Sequence, residues 1–217
     1  MWWKTLLLIV LSAVIVAAFM IEPPQQQIGA ASRIFYFHVP MAWIAVLAFA
    51  MAMIYSVLYL RSRRPTLDDR AAAAAGLGLV FCLLATISGS VFARVTWGSF
   101  WNWDPRETSI FVLLLIYGAY FSLRQAVADP PRRAALASVY AIFAFVTVPF
   151  LVFVVPRVLP SLHPSDSIVS RNMEFAMGPT VRIVFFSSLV AFTALYLWMF
   201  NLASRVADLA RAAEVEE

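Results

Sequence analysis

The chain of 217 residues is 63% hydrophobic and 13% charged, with a mean hydropathy of +0.83, whereas soluble domains are roughly 45–50% apolar and about 25% charged. This composition excludes an ordinary soluble domain and predicts an all-α integral membrane protein. The net charge of +4 does not indicate a nucleic-acid partner, because the basic residues fall in short segments between apolar runs, where they set membrane orientation.

Six apolar runs are long enough to cross a bilayer, since a membrane-spanning helix needs about 20 residues at 1.5 Å each. They predict a six-helix bundle in a single membrane domain, residues 1–217, with helices at about 2–21, 39–60, 71–95, 105–123, 134–155 and 181–202. The first run is too long for a signal peptide and lacks a small-residue cleavage site. Gly76, Gly78, Ser88 and Gly89 predict close packing of a central third helix, and Pro149 predicts a kink in the fifth.

Basic residues are unequally divided between the two sides that alternate along such a bundle. One side carries Lys4, Arg61, Arg63, Arg64, Arg70, Arg124, Arg132, Arg133, Arg205 and Arg211. The other side carries Arg33, Arg94, Arg106, Arg157, Arg171 and Arg182. By the positive-inside rule, both termini are expected in the cytoplasm. Residues 22–37, 97–108 and 156–180 are then expected to face outward.

Residues 97–108, WGSFWNWDPRET, contain Trp97, Trp101 and Trp103 within a short stretch. An indole has a broad, rigid, apolar face, so such a cluster suits either a lipid interface or a flat hydrophobic ligand. Asp104 is followed by a proline and, three residues on, by a glutamate, which is the pattern of an N-cap and capping box. A cap at Asp104 would therefore fix where the fourth helix begins, and with it the position of the preceding indoles.

The only two histidines, His38 and His163, are both predicted on the outward side. Two imidazoles and an indole-rich surface are what a haem requires, because iron takes two axial nitrogens and porphyrin takes flat apolar walls. Arg94 and Arg106 flank the tryptophans and are candidates for the propionates. Each group also has an ordinary interpretation as an interfacial histidine, a tryptophan belt or arginines at lipid phosphates, and the residues alone leave both open.

The string Trp97-Gly98-x-x-Trp101-x-Trp103-Asp104-Pro105-x-Glu107-Thr108 resembles the tryptophan-rich signature of haem-handling proteins used in cytochrome c assembly. Phe37-His38-Val39-Pro40-x-x-Trp43 and Ser161-Leu162-His163, with six helices, are similar to the cytochrome c maturation protein C family over essentially the whole chain. The resemblance implies that haem b is held non-covalently at the periplasmic face of the bacterial inner membrane. It implies His38 and His163 near the iron and the tryptophans against the ring.

The resemblance also implies delivery of the haem to a membrane-anchored chaperone, cytochrome c maturation protein E. It further implies an ATP-binding cassette of maturation proteins A and B and a small single-helix subunit, maturation protein D. This chain has no GxxxxGK[ST] motif, so an ATP-driven step would belong to a partner. A shallow site is expected, because a ligand for hand-over should not be sealed inside the bundle.

The chain is accordingly expected to be a haem handler and not an enzyme, with no catalytic residue. Two alternatives stay open at this stage. One is a haem- or quinone-linked membrane oxidoreductase, which would need redox centres spaced through the bilayer. The other is a transporter subunit for haem or another solute, in which intramembrane charges would mark the route.

Overall fold

The computed structural model describes residues 2–21, 29–163 and 177–216, and in these residues it contains helices and no strand. The helices are α1 (Trp2–Met20), α2 (Phe35–Ser62), α3 (Pro65–Trp97), α4 (Pro105–Ala126), α5 (Pro130–Pro149), α6 (Val155–Val158) and α7 (Pro179–Glu216). A 3₁₀ turn, Gly29–Ile34, leads into α2, and a π-helical turn, Phe150–Val154, joins α5 to α6. The expected outward segments 22–37 and 156–180 are thus described in part, and Arg171 lies outside the described residues.

Within the described residues, six continuous helical segments are long and apolar enough to cross a membrane. The predicted all-α fold with six membrane-spanning helices is therefore confirmed. α7 alone has 38 residues, or about 57 Å at 1.5 Å per residue, which exceeds the roughly 30 Å hydrocarbon core. The helix ends at Glu216, well past the predicted end at residue 202.

The centre of the bundle is the contact between α2 and α3, which also pack against α5, α7 and α4. A Cβ on Gly78 of α3 would lie 2.5 Å from the Phe49 ring of α2, so only glycine permits this approach. Phe49 in turn stacks on Tyr117 of α4, with ring centroids 3.5 Å apart and planes 10° apart. The prediction that small residues place the third helix centrally is confirmed.

The second helix begins at Phe35, four residues before the sequence prediction, so His38 lies inside α2 and not ahead of it. The helix continues through Pro40, which has no N–H to donate to the carbonyl of Tyr36. The Ser188 hydroxyl of α7 donates to that carbonyl instead. A hydrogen bond from a distant part of the chain thus permits a proline inside the helix, and the sequence pattern alone does not reveal it.

Two ion pairs tie the start of α3 to its neighbours, at the end of the bundle away from the tryptophans. The Arg124 guanidinium of α4 donates to both carboxylate oxygens of Asp68, at 2.6 and 2.9 Å. Arg211 of α7 donates to Asp69 at 2.6 Å. The first pair is buried and the second is partly exposed, so we expect the first to contribute more to stability.

Candidate functional site

A cavity of about 210 Å³ lies at the end of the bundle where α3 ends and α4 begins. We call this the site end. His38 of α2, His163, Trp101 and Arg106 line the cavity, and its wall continues along α2 and α4 to the buried Phe49 and Leu113. The π-helical turn that follows Pro149 also contributes to the wall, and such turns occur frequently at functional sites. The cavity therefore extends from the site end toward Phe49 and Leu113.

His163 is held at this cavity by Asp104. Its Nδ1 lies 3.0 Å from Asp104 Oδ1, and Asp104 also accepts from the Ser161 hydroxyl at 2.9 Å and the Leu162 N–H at 2.6 Å. These bonds join residues 161–163 to the start of α4. The loop that carries the second histidine is thereby fixed to the tryptophan-rich segment.

Asp104 is at the same time the N-cap of α4. Its side chain accepts from the Arg106 N–H at 2.9 Å, and Glu107 accepts from the Asp104 N–H at 3.3 Å, which completes the capping box. The predicted cap is thus confirmed. The sequence did not indicate that the same carboxylate would also anchor His163, because that contact spans almost sixty residues.

The electrostatics of this pair favour a charged carboxylate and a neutral ring. Burial alone would raise the pKa of Asp104, but hydrogen bonds from the Arg106 N–H, the Leu162 N–H and the Ser161 hydroxyl bring it below its ordinary value. Burial lowers the pKa of His163 despite the opposing effect of Asp104, and the charge of Arg106 lowers it further. A carboxylate only accepts, so Nδ1 of the neutral His163 carries the proton and Nε2 keeps a free lone pair.

His38 has an equivalent arrangement with a different partner. Its Nδ1 lies 3.0 Å from the Ser88 hydroxyl of α3. His38 and His163 are far apart in sequence, yet they line the same cavity. Both imidazoles therefore use Nδ1 for a contact within the protein.

The three predicted tryptophans occupy different positions at the site end, and Trp101 and Trp103 pack edge to face, with ring centroids 5.8 Å apart. Trp101 lines the cavity, and Trp97 packs edge-on against His163, with ring centroids 4.7 Å apart. Trp103 is 70% exposed and has φ of 56°, a left-handed conformation that is rare outside glycine. This conformation comes directly before the cap at Asp104, and it leaves the Trp103 indole on the surface.

The two predicted arginines also differ in position. Arg106 lines the cavity, and its buried Nε has no hydrogen-bond partner among the described residues. Glu107 Oε1 and the Ser109 hydroxyl, in the same wall, are likewise buried without a described partner. Arg94 is exposed and donates to the carbonyl of Gly98, outside the cavity wall. Buried polar groups normally have partners, so the orphaned groups beside the cavity fit a polar ligand.

The imidazoles at the cavity are those of His38 and His163. No group of three or more His, Cys, Asp or Glu side chains able to hold one occurs in the part of the chain that the structure describes. Two imidazoles instead suit iron whose other ligands come from a porphyrin. Sequence reasoning did not identify Ser88 as the partner of His38, or the Ser161 hydroxyl as a donor to Asp104. Ser88 carried a signal only as one of several small residues on α3.

Comparisons with known proteins show which family the chain is similar to. The family model for Heme exporter protein C matches residues 1–217. The Heme exporter protein C of Bradyrhizobium diazoefficiens is 34% identical over 82% of this chain and 67% of its own length. The Heme exporter protein C of Rhodobacter capsulatus is 36% identical over 52% of this chain and 47% of its own length. That of Paracoccus denitrificans is 30% identical over 82% of this chain and 73% of its own length. The chain therefore belongs to the Heme exporter protein C family.

Proposed function

We propose that this protein binds haem b non-covalently between His38 and His163 and presents it to another protein during cytochrome c maturation. Membership of the Heme exporter protein C family makes it a non-catalytic haem-handling membrane protein. The observation that carries the finer proposal is the cavity itself. It brings together two distant histidines, each with Nδ1 already occupied, beside an arginine whose buried Nε has no hydrogen-bond partner among the described residues.

The cavity is lined by imidazoles, by apolar and aromatic side chains and by an arginine, and each kind of side chain suits a different part of haem. Haem, when bound, would supply an iron that accepts nitrogen ligands, and the imidazoles of His38 and His163 would hold it. Trp101 and the apolar walls near Phe49 suit the porphyrin face and its apolar edge. Arg106 suits the propionates, because a guanidinium binds carboxylates through two parallel hydrogen bonds.

The proposed orientation places the site end in the periplasm of a bacterium, at the inner membrane, and both termini in the cytoplasm. The excess of basic residues at the opposite end supports this orientation. The proposed recipient is the membrane-anchored chaperone, cytochrome c maturation protein E. The proposed complex also contains maturation proteins A and B, which form the ATP-binding cassette, and the single-helix maturation protein D.

The oxidoreductase alternative has less support. The chain has two histidines, and both lie at one cavity, so it offers one axial pair at one end of the bundle. An electron path across a bilayer needs further centres at other depths. Membership of a haem-handling family likewise favours binding and transfer over catalysis.

Haem titration of the detergent-purified protein, followed by mixing with the purified chaperone, tests the proposal. We expect saturation at one haem per chain, loss of that binding in the double variant His38→Ala/His163→Ala, and transfer of haem to the chaperone from the wild type. Trp101→Ala should weaken capture, and Trp198→Ala is the matched control, because Trp198 contacts Trp3 outside the cavity. Unchanged capture and transfer in the double variant would contradict the proposal.

A further inference from the structure

His38 contacts two adjacent small residues of α3, Ser88 and Gly89. Ser88 places its hydroxyl 3.0 Å from Nδ1 of His38. At the neighbouring Gly89, an added Cβ would lie 2.9 Å from Cε1 of the same ring, closer than Cβ contacts in real structures. The imidazole therefore packs closely against Gly89 of α3, beside the Ser88 hydroxyl.

The direction of the hydrogen bond follows from the other contacts of the hydroxyl. Ser88 Oγ lies 2.8 Å from the Leu84 carbonyl and 3.1 Å from the Ala85 carbonyl, and it donates its single proton to them. With that proton on a carbonyl, the lone pairs of the hydroxyl face His38, and Nδ1 of the ring donates to it. The Ala85 carbonyl is a second hydrogen-bond acceptor for the same ring. A ring protonated at Nδ1 and neutral overall has its free lone pair on Nε2, the atom that an iron would use.

We infer that Ser88 is the residue that positions His38 as an iron ligand, and that Gly89 provides the space for the ring. This inference rests on the proposed function and extends it to the partner that orients the ligand. Metal-bound histidines usually donate their other N–H to a carboxylate, carbonyl or water, which fixes the tautomer and the ring orientation. Asp104 does this for His163, and Ser88 does it for His38 with an uncharged oxygen.

Haem binding by Ser88→Ala, Ser88→Thr and the wild type tests the inference. Loss of a partner that orients a ligand costs roughly 10–100-fold in metal affinity, and we expect about tenfold for Ser88→Ala because the lost acceptor is neutral. Its ferric spectrum should gain a high-spin fraction, and added imidazole should restore the low-spin form. Ser88→Thr keeps the hydroxyl and should restore most of the affinity. Wild-type affinity and spin state in Ser88→Ala would overturn the inference.

Matched controls separate a positioning effect from general loss of structure. Ser122 makes the same kind of bond to a carbonyl of its own helix, at 3.1 Å from Gly118 O, so Ser122→Ala should bind haem as the wild type does. Gly89→Ala should displace the ring and lose the low-spin spectrum. Gly118→Ala is its control, because an added Cβ there meets nothing within 4 Å.

A measurement on the haem-free protein separates this inference from the proposed function. Nitrogen-15 NMR of labelled histidine reports which ring nitrogen carries the proton, and with two histidines in the chain the His163→Ala variant assigns the signals. At a pH where imidazole is neutral, we expect His38 to be protonated at Nδ1 in the His163→Ala variant. In the double variant His163→Ala/Ser88→Ala, we expect a mixture of the Nδ1 and Nε2 tautomers. A His38 ring protonated at Nε2 would overturn the inference even if haem binds. Absence of haem binding with the expected tautomer would instead count against the proposed function.

Discussion

Asp104 joins two roles in one carboxylate, since it caps α4 and holds His163. A carboxylate bonded to Nδ1–H makes the imidazole a stronger donor to a metal, and a stronger donor favours ferric over ferrous iron. The charge of Asp104 is therefore expected to lower the reduction potential of bound haem. The helix, in contrast, needs only an accepting side-chain oxygen at its N-cap. These two roles are separable by substitution.

Asp104→Asn should separate them, because asparagine is about as good an N-cap as aspartate but carries no charge. We expect this variant to keep the cap through its amide oxygen and to raise the reduction potential of bound haem. It should lose the bond from the Leu162 N–H, because an amide NH₂ replaces an accepting oxygen. Asp104→Ala should also lose about 1 kcal/mol of stability through the missing cap. Spectroelectrochemistry and thermal unfolding measure the two effects. Asp129→Asn, at the N-cap of α5, is the control, and an unchanged potential in Asp104→Asn would contradict the charge effect.

Arg106 and Arg94 give a second contrast at the residue scale, because only Arg106 lines the cavity. Hydrogen bonds to charged groups contribute about 1.5–3 kcal/mol, so Arg106→Gln should weaken haem binding by roughly 10–100-fold. Arg94→Gln should change it little. Haem esterified at both propionates should bind the wild type as weakly as ordinary haem binds Arg106→Gln. Equal losses in the two arginine variants would exclude Arg106 as the specific propionate partner.

At the scale of elements, α2 depends on a hydrogen bond from α7. The Tyr36 carbonyl has no donor at Pro40 and receives the Ser188 hydroxyl instead, at the level of the helix turn that carries His38. A buried polar group left without its partner costs about 1–3 kcal/mol. The start of α2, and with it the position of His38, should therefore be sensitive to a residue on α7.

A double-mutant cycle tests this dependence. Ser188→Ala should lower stability by about 1–3 kcal/mol, and the loss should be smaller in the Pro40→Ala background, where the backbone N–H returns as a donor. Thermal unfolding in detergent measures all four proteins. The neighbouring Ser187→Ala serves as the control. Strictly additive effects of Ser188→Ala and Pro40→Ala would show that the two positions do not share the Tyr36 carbonyl.

Across the whole molecule, the site end and the opposite end are built on different interactions. The site end has a cavity with orphaned polar groups, and the opposite end has two ion pairs that join α3 to α4 and α7. The buried pair should therefore support the bundle that positions the cavity. Removing one partner of a buried pair leaves an uncompensated charge.

Asp68→Ala should destabilise the protein by about 3–5 kcal/mol, because Arg124 stays buried and unpaired. Asp69→Ala should cost under about 1 kcal/mol, since its partner Arg211 is 39% exposed and such pairs contribute little. Unfolding in detergent compares the two variants directly. Similar losses of unfolding free energy in the two variants would contradict the larger contribution that we assign to the Asp68–Arg124 pair.

The spans of this protein are predictable from sequence because a bilayer forces each crossing segment to be long, apolar and helical. The cap at Asp104 is predictable because all its residues are adjacent in the chain. The start of α2 is not, since Pro40 ends a helix by local rules and only Ser188 of α7 reverses that outcome. The partners of His38 and His163 are likewise supplied by other elements, so identifying Ser88 and the second role of Asp104 requires the fold.

The measurement that tests the proposed haem site most directly is the ferric spin state of the loaded protein, by absorption and electron paramagnetic resonance. Wild type, His38→Ala and His163→Ala are compared at saturating haem. We predict a low-spin spectrum with two nitrogen ligands in the wild type and a high-spin spectrum in each single variant, reversed by added imidazole. A single variant that keeps the wild-type low-spin spectrum would show that its missing histidine is not an iron ligand.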